Sequence, residues 1–171
     1  IDAELQQLPK QNGSSGIKNL NYVNFPSAIE QDIKTFHDIV PFKKLVVLAN
    51  KRYYEAVPQL GNRLPKALET MGFDPVIVPI DTSVNEALLK IPADAEAVYL
   101  TPLFHLPTRD FDRLVEGINA RKIPSFSMLG RGEVERGIMA TLKDDVFPRM
   151  ARRVALNVQR ILLGEDAGAF P

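Results

Sequence analysis

Three short, unbroken apolar runs recur along this chain: Leu45-Val46-Val47-Leu48-Ala49, Val76-Ile77-Val78 and Ala97-Val98-Tyr99-Leu100. A run without polar alternation is what a strand covered on both faces requires. Striped segments lie around these runs. Ile29, Ile33, Phe36 and Val40 predict a helix over about 28–40, opened by the capping box Ser27-x-x-Glu30. Val57, Leu60, Leu64, Leu68 and Met71 predict the next helix, which stops at Gly72. Pro58 fits its first turn, and Pro65 should kink or split it. Ser83 to Leu89 reads as a short helix. Phe111, Leu114, Val115 and Ile118 mark a helix over about 108–121. Ser125 to Leu129 reads as a fourth strand and Ile138 to Leu142 as a fifth. Asp144 or Asp145 can cap a last helix over about 147–163, ended by Gly164. Before all of these, Asn12-Gly13-Ser14-Ser15-Gly16 reads as a flexible loop. Leu20, Tyr22 and Phe25 suggest an extended segment before Pro26.

Helix and strand thus alternate, with short connections. Right-handed crossovers then give an α/β, three-layer α/β/α sandwich with a mainly parallel sheet. Ligands of such sheets bind beyond the carboxyl ends of the strands. That rule singles out four loops: Asn50–Tyr54, Ile80–Ser83, Thr101–Pro107 and Leu129–Glu133.

Charge narrows the partners. The 21 basic and 21 acidic residues cancel, so no basic excess argues for nucleic acid or an acidic membrane surface. No run of apolar residues is long enough to span a membrane. The absence of cysteine excludes a disulfide frame, a thiolate nucleophile and a cysteine zinc site. A length of 171 residues fits one domain or parts of two lobes. The chain opens on Ile1-Asp2-Ala3-Glu4 without a signal peptide, and is expected to be a mature or trimmed product.

Four stretches carry candidate chemistry. Phe126 to Gly137, FSMLGRGEVERG, runs from a strand into glycines as a phosphate turn would. Its spacing fails the dinucleotide pattern, because the sixth position from Gly130 is Glu135. Glu133 and Glu135 also stand where an anion would sit. The stretch therefore reads as a tight turn in which Gly130 and Gly132 are free to take positive φ, and Gly130, Arg131 and Glu133 remain candidates for ligand contact. The two histidines are His37, on a predicted helix, and His105, past a strand end. His105 could contact a ligand, contact another lobe, pack, or serve as a general base, but no serine lies in a nucleophile-elbow context. The pair lacks metal-ligand spacing. In Asn50-Lys51-Arg52-Tyr53-Tyr54, Arg52 could pair with a carboxylate and the tyrosines offer flat faces with polar tips; a solvated loop leading into a helix is the plainer alternative. Arg149, Arg152, Arg153 and Arg160 stripe the last helix and fit a solvated or inter-lobe face.

The ordered set of segments resembles the periplasmic solute-binding proteins of ABC transporters, type I fold. The resemblance rests on "IEQDIKTFHDIVPFKKLVVLAN", "LPKALETMGFDPVIVPI", "ADAEAVYLTPL", "RLVEGINARKIPSFSM" and "GIMATLKDDVFPRMARRVALNVQRILLGED", in that order. It implies two α/β lobes joined by crossovers, with most of the first lobe upstream of Ile1. Residues 1–26 would be the tail of that lobe and a hinge crossover, 27–137 the second lobe, and 138–171 the return crossover and a first-lobe helix. That helix would carry an apolar face with Val154, Val158 and Leu162, packed on itself, a neighbour or the other lobe. The resemblance further implies a periplasmic or extracytoplasmic location, with a membrane anchor conceivable upstream, and ABC transporter membrane subunits as partners. It implies no catalytic residue, no cofactor, no metal and no nucleic acid. The solute-contacting residues would be Asn50, Arg52, Tyr53, Thr101, Phe104, His105, Gly130, Arg131 and Glu133. Thr101-Pro102-Leu103-Phe104-His105 departs from the polar loop usual in that family. The departure points to an apolar or aromatic ligand portion, or to a protein contact; Arg52 and Glu133 leave room for one charged group, as on an amino acid. Two other readings stay open: a sensory ligand-binding domain of the same fold, and a small α/β enzyme using His105.

Overall fold

The computed structural model describes residues 3, 6–24, 29–142 and 147–170. The chain forms two compact units, one from residues 29–145 and one from the two chain ends, 1–28 with 146–171.

The larger unit is a five-stranded, all-parallel sheet in the order β2-β1-β3-β4-β5. Its strands are β1 (Lys44–Asn50), β2 (Asp74–Ile80), β3 (Ala97–Leu100), β4 (Ser125–Ser127) and β5 (Ala140–Thr141). Its helices are α1 (Ile29–Ile39), α2 (Lys51–Ala56), α3 (Pro58–Thr70), α4 (Val84–Lys90), α5 (Thr108–Ala120) and α6 (Arg131–Val134). The three apolar runs lie in β1, β2 and β3, with β1 paired between the other two, and all four residues of β3 are buried. On one face, Val46, Leu48, Val98 and Leu100 pack with Val84, Ala87 and Ile91 of α4 and its C-cap, and with Leu114 and Ile118 of α5. On the other, Phe36 of α1 lies 5.1 Å from Phe126, which stacks on Tyr99 at 6.1 Å. The β1–α3–β2 crossover runs across the sheet in the opposite sense to the later ones, so right-handedness puts α3 on the face away from α4 and α5. The larger unit is thus the three-layer α/β/α sandwich that the alternation of elements predicts.

Two elements depart from the expectation. The segment after β1 is not a loop: Lys51–Ala56 is helical, with Asn50 as N-cap. The break in the long helical stripe falls at Val57-Pro58, not at Pro65, which lies inside a continuous α3. Proline drives the residue before it out of the helical region, and Val57 sits at φ −120°, ψ 83°. Leu64 and Leu68, both buried, anchor α3 on either side of Pro65. The expected caps at Ser27 and at Asp144 or Asp145 lie outside the described residues.

The smaller unit contains α7 (Phe147–Leu162), a 3-10 turn at Ala167–Ala169, and the N-terminal segment. The Asn12-Gly13 stretch is an ordered hairpin rather than a flexible loop. Both residues have positive φ, 50° and 86°, and Gln11 and Ser14 exchange backbone hydrogen bonds across them, which is the type I′ turn that Asn-Gly favours. Asn21 ties the two chain ends together: its Nδ2 donates to the carbonyls of Ala167 and Phe170, and its Oδ1 accepts from Asn157 Nδ2 at 2.7 Å. The Arg160 guanidinium lies 3.9 Å over the Phe170 ring and pairs with Glu165. Val154, Val158 and Leu162 are exposed on α7.

Candidate functional site

Strand order reverses between β1 and β3, since the chain leaves β1 toward β2 and returns past it to β3. The crevice beyond the carboxyl ends of strands at such a point is the ligand position of open α/β sheets. Here the β1 end supplies Asn50, the β3 end Thr101, and the following loop His105.

Asn50 and His105 are joined in one hydrogen-bonded relay, and Thr101 bonds beside it to β1. Asn50 Oδ1 accepts from Tyr53 N–H at 3.2 Å, the N-cap of α2. Asn50 Nδ2 lies 2.8 Å from His105 Nδ1, and His105 Nε2 lies 3.1 Å from the Ile80 carbonyl at the end of β2. The carbonyl can only accept, so Nε2 carries the proton and Nδ1 accepts from the amide. Thr101 Oγ1 donates to the Leu48 carbonyl at 3.0 Å. The relay therefore fastens the ends of β2, β1 and β3 to one another through residues 25 and 55 positions apart.

A second cluster lies past β4, about two strand spacings or ~10 Å from β1. Ser127 Oγ accepts from Leu129 N–H at 2.9 Å and donates to the Glu133 carboxylate. Burial raises the Glu133 carboxyl above its ordinary value, against the opposing pull of the Ser127 hydroxyl and the Arg136 charge. Gly130, at φ 128° and buried, is the N-cap of α6. That region of the map is open mainly to glycine. Gly132 is not such a position; it lies within α6.

The structure thus gathers Asn50 and His105 into one network, leaves Thr101 bonded separately to Leu48, and brings Gly130 and Glu133 into another. Arg52 and Arg131 join neither: Arg52 lies 3.8 Å from Asp81, and Arg131 pairs with Glu135 at 2.8 Å, both exposed. Tyr53 enters through its backbone and is 42% exposed as a residue, and Phe104 is 67% exposed. The Ile80 carbonyl opens one of the four loops but carries no side-chain signal, and Ser127 lies outside all four. Ser127 is a buried hydroxyl in a short strand whose other polar residue, Ser125, accepts from Met139 N–H. His37 is half-buried with its ring edge-on to Phe42 and Phe73, away from this edge. Among the described residues no group of three or more His, Asp or Glu could hold a metal ion, and no helix is long and apolar enough to cross a membrane.

No family model matches the chain, and no curated protein does. Among solved structures, the crystal structure of a conserved domain protein from Vibrio cholerae O1 biovar El Tor is similar, with a TM-score of 0.80 and 25% identity over 99% of this chain. The chain spans 56% of that protein's length.

Proposed function

We propose that the protein is the solute-binding component of an ABC-type transport system, holding a small molecule against the carboxyl edge of its sheet without catalysis. The observation that carries this reading is the relay from Tyr53 through Asn50 and His105 to Ile80. It makes the switch-point edge rigid in advance, and binding sites gain affinity from such pre-organisation. It also commits both nitrogens of His105, the residue that an enzymatic reading would use as its base. Beside this fixed frame, Tyr53 and Phe104 keep large apolar rings exposed. Those rings suit an aromatic or apolar solute portion, and Arg52, Arg131 and Glu133 on the same edge suit the charged groups of an amino acid.

The test is calorimetric titration of the protein with amino acids and small aromatic carboxylates, paired with thermal-shift measurements. Saturable heat and an upward shift are expected for at least one of them, weakened by Phe104→Ala and by Arg52→Ala. No heat and no shift across the whole panel would remove the reading. Turnover of a bound compound that is lost in His105→Ala, with binding retained, would move the protein to the enzymes.

A further inference from the structure

The relay at the switch point has a direction that only one protonation state allows. Tyr53 N–H must donate, so Asn50 turns its oxygen to the helix and its amide nitrogen to His105. An amide nitrogen only donates, so Nδ1 must be bare. The Ile80 carbonyl holds the single proton on Nε2. All three bonds coexist only with a neutral imidazole.

We propose that His105 is a positioning residue that latches α2 to the carboxyl edge of the sheet and releases it on protonation. A proton taken from solvent onto Nδ1 sets N–H against N–H across the 2.8 Å contact with Asn50. The Ile80 bond survives, because Nε2–H is unchanged. Asn50 must then withdraw, or rotate its oxygen toward the imidazolium, and either movement takes that oxygen from Tyr53 N–H. α2 has six residues and buries no side chain, so its N-cap is a large part of what holds it. Its first turn carries Arg52 and Tyr53, so release moves two side chains assigned above to the solute. That consequence rests on the solute-binding reading; the latch itself does not.

The charged groups on the surrounding elements are Lys51, Arg52 and Glu55 of α2, Asp81 after β2, and Arg109, Asp110, Asp112, Arg113 and Glu116 of α5; α4 adds Glu86 and Lys90. Three pairs form among them. Glu55 lies 3.9 Å from Lys51, Asp81 3.8 Å from Arg52, and Asp110 3.7 Å from Arg113.

The experiment follows the imidazole nitrogens by NMR in histidine-labelled protein, with amide exchange at Tyr53, across the titration. His37 serves as the internal control. Neutral His105 is expected with its proton on Nε2. As it takes the second proton, the Tyr53 amide should open about fivefold more readily, the effect of losing one N-cap. Asn50→Asp offers oxygens to both Tyr53 N–H and Nδ1–H, so Tyr53 should stay protected throughout. His105→Gln should abolish the pH dependence, and His37→Gln should leave it. Unchanged Tyr53 protection while His105 titrates overturns the latch, as does a pH response that survives in His105→Gln or in Asn50→Asp. Affinity for phenylalanine, glutamate and benzoate is measured alongside. A working latch in a protein that binds none of them leaves this inference standing and sinks the solute reading.

Discussion

At the scale of single residues, two carboxylates of the larger unit accept buried hydroxyls in different surroundings. Asp32, 2% exposed on α1, accepts from the Tyr99 hydroxyl at 2.8 Å. Burial first, and the Asp32 charge second, raise the Tyr99 phenol well above 10.0. The unfolded chain therefore loses this proton before the folded one does. Stability from Tyr99 is complete below about pH 10 and declines as pH rises beyond it. Tyr99→Phe should remove the highest-pH component of the phenolate absorbance titration. The same change takes a hydroxyl donor from a buried carboxylate and should cost about 1–3 kcal/mol in denaturant unfolding. Glu133 follows the same sign in another window. Its carboxyl is raised above 4.5 by burial, so its favourable contribution is complete below that value and is lost as pH climbs through the folded one. Ser127→Ala removes the hydroxyl that holds the shift down. A carboxyl NMR titration of that variant should find Glu133 protonated to higher pH than in the parent; an unmoved or lowered midpoint would contradict the assigned pairing.

Elements are where sequence and structure agree most and where their disagreement is most instructive. The central strands could be read because a strand buried on both faces favours an unbroken apolar run, as in Val46 to Ala49. α2 could not, because Lys51-Arg52-Tyr53-Tyr54-Glu55-Ala56 has no buried stripe; its start is set by Asn50, and Asn50 is fixed by a histidine 55 residues away. The site was legible to the same extent. Strand ends located Asn50, Thr101 and His105, but the roles of Ile80 and Ser127 depend on register between strands, which no local pattern encodes. Helix packing gives a graded test through three glycines. A Cβ at Gly61 in α3 would meet only ordinary contacts, the nearest being Tyr54 Oη at 3.6 Å. Gly61→Ala should then gain most of the alanine helix preference, about 0.5–1 kcal/mol. At Gly117 in α5 the Cβ would lie 2.5 Å from a methyl of Leu88 on α4. That side chain is only partly buried and can move, so the gain and the repacking cost should nearly cancel, leaving Gly117→Ala within about 1 kcal/mol of the parent. At Gly168 the obstacle is the Ile17 carbonyl oxygen at 2.1 Å, and its backbone carbon at 2.5 Å. Backbone cannot swing aside, so Gly168→Ala should destabilise by about 1–3 kcal/mol or more. Urea unfolding of the three variants should give that order; a neutral Gly168→Ala would refute the contact.

For the whole molecule, the division into units follows from how each is closed. The larger unit is drawn from one continuous stretch, 29–145, and contains the whole sheet and the cluster from Val46 to Ile138. The smaller is closed by bonds between chain ends: Asn19 N–H to Asp166, and Asn21 to Ala167 and Phe170, span 147, 146 and 149 residues. Such closure carries a loop entropy that local contacts do not. A fragment of residues 29–145 should therefore keep parallel-sheet circular dichroism and a single cooperative thermal transition. A fragment that ends at 145 but keeps residues 1–28 should hold the same transition, while its N-terminal segment, deprived of α7 and of the carbonyls at 167 and 170, is cleaved readily by added protease. In the full chain Asn21→Ala should reproduce that cleavage pattern in milder form, because it removes two donors and one acceptor at the seam between the ends. If 29–145 instead unfolds without a cooperative transition, its core is insufficient without the smaller unit, and the two must then fold as one.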